Sequence, residues 1–221
     1  MTTLLRYSQI SIYAATFLYS IYSLYSKKGK EFPFYMKGFY WYPAIGTIIG
    51  IIWILSDLKV MSVQVFDTIN SLSLLFHFSF LSYFISKVVN NKILKKKLFY
   101  LFWFFEILII ISLLYDFREN SKIAFTTSNS GLLIFSLIYY YNLMRNIPID
   151  NLLHEASFWI ITGILFALCL NLPIIFFGNY LYHISKPIYY TISWIAPFGL
   201  IVMYLFFIKG IKCSLHQHRQ Q

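Results

Sequence analysis

The chain predicts an all-α polytopic membrane protein, a bundle of seven transmembrane helices with its N-terminus outside and its C-terminus cytoplasmic. Three observations lead there. Of 221 residues, 59% are hydrophobic and only 12% charged, more apolar surface than a soluble domain of this size can hide, so lipid must be the solvent for most of it. Apolar runs long enough to cross a bilayer, about 20 residues for roughly 30 Å of hydrocarbon, recur with short polar breaks between them. The basic residues behind the formal charge of +10 stand in small clusters between those runs, which is the pattern of a topology signal and not of a nucleic-acid surface.

The spans are expected near 7–26, 39–56, 61–86, 98–116, 122–143, 156–178 and 187–208, in one transmembrane domain without an internal repeat. The first is diluted by Ser8, Ser11, Ser20 and Ser23; no small-x-small cleavage pattern follows it, so it reads as a retained helix. The second opens on Tyr40, Trp41 and Tyr42 and carries Gly46 and Gly50 at GxxxG spacing, which permits close helix approach. The third is the polar one, with Gln64, Asp67, Asn70, Ser71, Ser73, His77 and Ser82. Polar groups in hydrocarbon cost free energy unless partnered, so this helix is expected to face the interior, with the others around it. The fourth holds one acid, Glu106, in LFWFFEILIII, and the fifth opens on Thr126, Thr127, Ser128, Asn129 and Ser130. Pro173 in the sixth and Pro197 in the seventh are expected to kink them.

Orientation follows from the basic residues. With the N-terminus outside, 13 of the 18 Lys and Arg residues fall on the cytoplasmic side and 5 on the outer side. The aromatics Tyr40–Tyr42, Tyr139–Tyr141, Tyr180, Tyr182, Tyr189 and Tyr190 are expected as headgroup anchors. The connections are too short to fold into a soluble domain, so any activity lies in the helices or comes from a partner. Cys169 and Cys213 fall at different depths and suggest no disulfide.

Two groups of residues are candidates for function. On the inner half, His77 lies about 13 Å and Glu106 about 12 Å from the cytoplasmic ends of adjacent helices, which allows a buried polar pair. It would act as a proton-linked switch or relay; the plainer reading is a protonated Glu106 bonded to any neighbour. On the outer half, Asp67, Asn70, Thr126, Asn129, Asn171 and Thr191 are expected either to line an outward-facing ligand pocket or to hold helices together by hydrogen bonds worth about 0.6 kcal/mol each. There is no HExxH, GxSxG or phosphate-binding glycine loop and no lysine mid-way along the seventh helix. No catalytic residue, metal site or cofactor is therefore expected, and an enzyme is the least favoured class. His216 and His218 in HQHRQQ are two solvated histidines.

The phrase Phe158-Trp159, Gly163 and Pro173, with the Tyr-Trp opening of the second helix and FDTINSLSLLFHFSFL of the third, resembles uncharacterised small seven-helix integral membrane proteins of Bacteroidota-type bacteria. These are similar to membrane modules that accompany sensor histidine kinases. The resemblance implies an inner-membrane, receptor-like or signal-transducing module. This chain has no kinase of its own, so a signalling role implies a separate cytoplasmic partner and a small-molecule or lipidic ligand. A channel or transporter using the polar third helix is the alternative expectation, and a structural subunit of a membrane complex a further one; oligomerisation is open.

Overall fold

A computed structural model describes residues 2–25, 34–57, 63–115, 121–146, 149–193 and 195–217. Every regular element among them is helical: α1 (Thr2–Tyr25), α2 (Phe34–Asp57), α3 (Val63–Val88), α4 (Lys92–Tyr115), α5 (Ser121–Asn146), a 3₁₀ segment (Ile149–His154), α6 (Ala156–Ile184), α7 (Lys186–Ser193) and α8 (Ile195–Gln217). Six of these helices, α2 to α6 and α8, are long and apolar enough to cross a membrane. Their exposed surfaces are what lipid requires: α4 presents Trp103, Phe104, Ile107, Ile111 and Leu114 outward.

Two expectations are revised here. The helix expected over 7–26 forms as α1 but is not among the six, because its serines dilute the apolar run; Thr16 and Ser20 are buried and bond the carbonyls of Ile12 and Thr16. The helix expected over 187–208 is described as α7 and α8, the latter reaching Gln217; residue 194 between them lies outside the described residues. Pro197 sits in the first turn of α8, where its missing N–H has no intrahelical partner anyway. Pro173, by contrast, lies within an unbroken 29-residue α6.

By its contacts the chain divides into two compact units. The first combines Met1–Ile51, Ile147–Leu170 and Tyr190–Gln221. Here α1 packs on α8 through Tyr13 and Tyr204, whose ring centroids are 4.4 Å apart, and Phe39 of α2 meets Phe207 of α8 edge-on at 5.3 Å. The GxxxG face of α2 is used: a Cβ on Gly46 would lie 2.7 Å from the Tyr204 hydroxyl oxygen, and one on Gly50 2.7 Å from Ile10. The first half of α6 approaches α8 at Gly163 and Gly210, where added Cβ atoms would stand 3.0 and 2.9 Å from backbone oxygens of Met203 and Ala156. Trp159, one turn before Gly163, stacks on Phe206, and its Nε1 donates to the Leu153 carbonyl at 2.8 Å.

The second unit combines Ile52–Asn146 and Asn171–Tyr189 and is centred on α3, α4 and α5, each packed on the other two. Three residues join α3 to α4 and five join α4 to α5, far less than the roughly 36 Å of a 24-residue helix, so each helix must return antiparallel to the one before. Phe78 is the hub. It meets Phe102 and Phe105 of α4 and Phe135 of α5 at 6.1–6.2 Å, and Gly131 leaves room for its ring. Leu81, Phe84, Ile85, Leu98, Ile109 and Leu132 complete a fully buried layer.

The turn between α3 and α4 is closed by Asn91. Its Oδ1 accepts from the N–H groups of Ile93 and Leu94 at 2.9 and 3.2 Å, and its carbonyl takes the first helical bond, from Lys95. Asn91→Ala is expected to cost about 1 kcal/mol in thermal unfolding of detergent-purified protein, the usual loss for an N-cap, and Asn91→Ser or Asn91→Asp much less.

Candidate functional site

Many hydroxyls in these helices are satisfied locally. Thr47, Ser82, Ser86, Ser112, Ser136 and Thr162 each donate to the carbonyl four residues earlier on their own helix, and the Asn129 side-chain amide does the same to Phe125. A short polar side chain in hydrocarbon can always reach that carbonyl, so a serine or threonine in an apolar helix needs neither a pocket nor a neighbour.

One bond is different in kind. Ser79 Oγ of α3 donates to Glu106 Oε1 of α4 at 2.8 Å, crossing between helices in the packed part of the second unit. The other carboxyl oxygen, Oε2, is buried and has no hydrogen-bond partner among the described residues. A carboxyl group carries about four acceptor positions when ionised and one donor when protonated, so one serine leaves most of that capacity unused. Leaving it unused inside a membrane is costly in either protonation state.

The hydrogen bond to Glu106 Oε1 comes from Ser79, which the spacing argument for His77 and Glu106 did not include. The two residues are on one level, as the spacing implied, but two steps along an α-helix turn the side chain by about 200°. Ser79 and His77 therefore leave α3 on different sides, and Ser79 is the one directed at the carboxyl of α4; His77 is itself partly buried.

The outer candidates separate in the same way. Asn70 stands eight residues before Phe78 on α3, which brings it level with residues 123–127 of the parallel α5, Thr126 among them, because Gly131 and Phe135 flank Phe78. Asp67, Asn70, Thr126 and Asn129 therefore occupy the same end of the second unit; the first three are partly buried and Asn129 is buried. Asn171 belongs to that unit too, on α6, and is partly buried, whereas Thr191 falls in the first unit, exposed on α7.

No family model, curated protein or solved structure matches this chain. The phrase from Phe158 to Pro173 thus stands on its residues alone. Two of them, Trp159 and Gly163, have a packing role in the structure: one turn apart on α6, they form the face that receives Phe206 of α8.

A tyrosine cluster is not evident from the sequence. Tyr42 and Tyr204 are buried with their rings stacked at 6.4 Å, and Tyr13 packs on Tyr204. Tyr42 is therefore no headgroup anchor, and neither is Tyr139, which is 2% exposed; Trp41, Tyr141, Tyr180 and Tyr182 are exposed as anchors must be. Side-chain direction separates these cases, and consecutive aromatics on a helix necessarily point in different directions. Beside this cluster an open apolar groove of 410 Å³, lined by Phe17, Trp41, Ala44, Ile45, Thr47 and Ile48, has the character of a lipid contact.

Proposed function

We propose that this protein is a receptor-like, signal-transducing module of the cytoplasmic membrane, crossing it with the N-terminus outside. A small-molecule or lipidic ligand engages the polar end of α3 and α5, α3 carries the change to its contact with α4, and a separate cytoplasmic protein reads the result. The observation that supports it is Glu106: a carboxyl in an apolar helix, held by one serine of α3 and with its other oxygen unpartnered. Intramembrane ionisable groups of this kind mark functional positions, and a contact so incompletely satisfied can be remade in a second helix arrangement at little cost. Asp67, Asn70, Thr126 and Asn129, toward the other end of the same helices, are the ligand candidates. A ligand shifts such an equilibrium only by binding the two arrangements differently.

The test is a thermal-unfolding screen of small polar and lipidic compounds on the purified protein, repeated on Asp67→Asn, Glu106→Gln and the double variant. A stabilising compound whose effect is weakened by each substitution, non-additively in the double variant, is the expected result. Failure of every compound to stabilise, together with no co-purifying cytoplasmic protein, would remove the reading.

The unpartnered Oε2 also favours a second reading, in which Glu106 takes up and releases protons on a conduction path. Proton flux into liposomes carrying the protein, lost in Glu106→Gln, would decide for a channel or transporter.

A further inference from the structure

We propose that the end of the second unit formed by the α3–α4 hairpin and the end of α5 is a binding surface for the anionic headgroups of phospholipids in the surrounding bilayer.

Five lysines, Lys87, Lys92, Lys95, Lys96 and Lys97, fall within eleven residues, and no Asp or Glu occurs anywhere between Asp67 and Glu106. All five are exposed, and none is paired with a carboxylate among the described residues. Because α5 runs parallel to α3, its last turn brings Arg145 to the same end. Lys87 lies over the exposed ring of Tyr83 at 5.2 Å and Arg145 over that of Tyr141 at 4.4 Å, contacts that hold both cations beside interfacial aromatics.

The position of the lysines on α4 is what asks for an anion. They occupy the first two turns, where the helix dipole is positive, and the first turn holds no acidic residue. Each such cation is disfavoured there by some tenths of a kcal/mol, and a neighbouring negative charge reverses the sign. Asn91 already occupies the free N–H groups of Ile93 and Leu94, so the anion must be met by the lysine side chains themselves.

The level is right for a headgroup. From Lys92 to Lys97 the helix rises about 7.5 Å, comparable to the polar layer on one side of a bilayer. Immediately beyond, Phe99, Tyr100 and Trp103 are exposed at the start of the apolar stretch, the place of an aromatic belt. Basic clusters bordering a membrane-spanning helix attract anionic lipid with roughly 1 kcal/mol for each Lys or Arg, equivalent to about fivefold in affinity per residue.

The experiment compares thermal unfolding of the full chain in vesicles of phosphatidylcholine alone and of phosphatidylcholine with phosphatidylglycerol. It uses the native protein, the fourfold variant Lys92→Gln, Lys95→Gln, Lys96→Gln, Lys97→Gln, and Lys186→Gln as a control for loss of charge elsewhere. Phosphatidylglycerol is expected to raise the unfolding temperature of the native protein and of the control. The shift should shrink on raising salt from about 50 mM to about 500 mM, as screening requires, and should largely vanish in the fourfold variant. Should that variant fail to fold, the pairs Lys92→Gln, Lys96→Gln and Lys95→Gln, Lys97→Gln serve, each expected to weaken lipid binding roughly 25-fold.

Three results would overturn the proposal: an undiminished shift in the folded variants, an equal shift with inorganic phosphate in place of the lipid, or loss of a co-purifying acidic protein in the variants with no change in the lipid effect.

Discussion

Ser79→Ala is expected to destabilise the protein by about 1–3 kcal/mol, while the pair Ser79→Ala, Glu106→Leu is expected to be as stable as the native chain or more so. The sign change comes from what each substitution leaves behind. Removing the serine strips Glu106 of the hydrogen bond that Ser79 donates, when its other oxygen is already buried and unpartnered among the described residues, so a half-buried carboxyl loses its compensation. Removing both partners replaces the polar contact by apolar packing at a level occupied by Phe78 and Phe105, and no polar group is left to desolvate. Thermal unfolding of native, both single and double variants in one detergent gives the coupling directly. Two single-variant losses that simply add in the pair would mean that the bond is an ordinary surface contact. A stable pair that no longer responds to any stabilising compound would be the signature of a group kept for function at the expense of stability.

The second large effect belongs to Gly163. An alanine there would put its Cβ 2.7 Å from the Phe206 Cβ and 3.0 Å from the Met203 carbonyl oxygen. Those atoms are part of, or bonded directly to, the α8 backbone, so relief requires α6 and α8 to move apart. Gly163→Ala is expected to cost about 1–3 kcal/mol, typical of overpacking. Gly178→Ala on the same helix is the control. The nearest atom there is a ring carbon of Tyr189 at 3.4 Å, an ordinary contact, and a helical alanine is favoured over glycine by up to about 1 kcal/mol. A lower unfolding temperature for Gly163→Ala beside an unchanged or higher one for Gly178→Ala is the expected pattern. Equal behaviour of the two would mean that the α6–α8 contact is looser than these distances imply.

What could be read in advance was governed by one-dimensional quantities. Composition pointed to lipid, run length located most helices to within about six residues but missed the end of the last, and rise per residue placed His77 and Glu106 on one level. The GxxxG at Gly46 and Gly50 signalled a close approach, and Tyr13, Ile10 and Tyr204 supply it. Misreadings arose where direction around a helix mattered. Level alone cannot choose between His77 and Ser79, and the triplet Tyr139–Tyr141 contains one buried ring, one partly buried and one exposed. The repeat that could have separated them, apolar residues every three or four positions, is weak in a membrane because the lipid-facing side is as apolar as the packed side. In α4 the exposed Trp103, Phe104 and Ile107 and the buried Phe105 and Ile109 are alike in polarity.

The sequence by itself therefore determined that this chain is helical with runs long and apolar enough to cross a membrane, roughly where its helices lie and where its positive charge gathers, since these depend on sums and lengths along the chain. Tertiary structure alone decided which serine holds Glu106, which tyrosines are buried and which glycines receive a neighbour. Those outcomes depend on the angle each side chain makes with a helix that is distant in sequence, and hydrophobicity in a uniformly apolar segment carries no record of that angle.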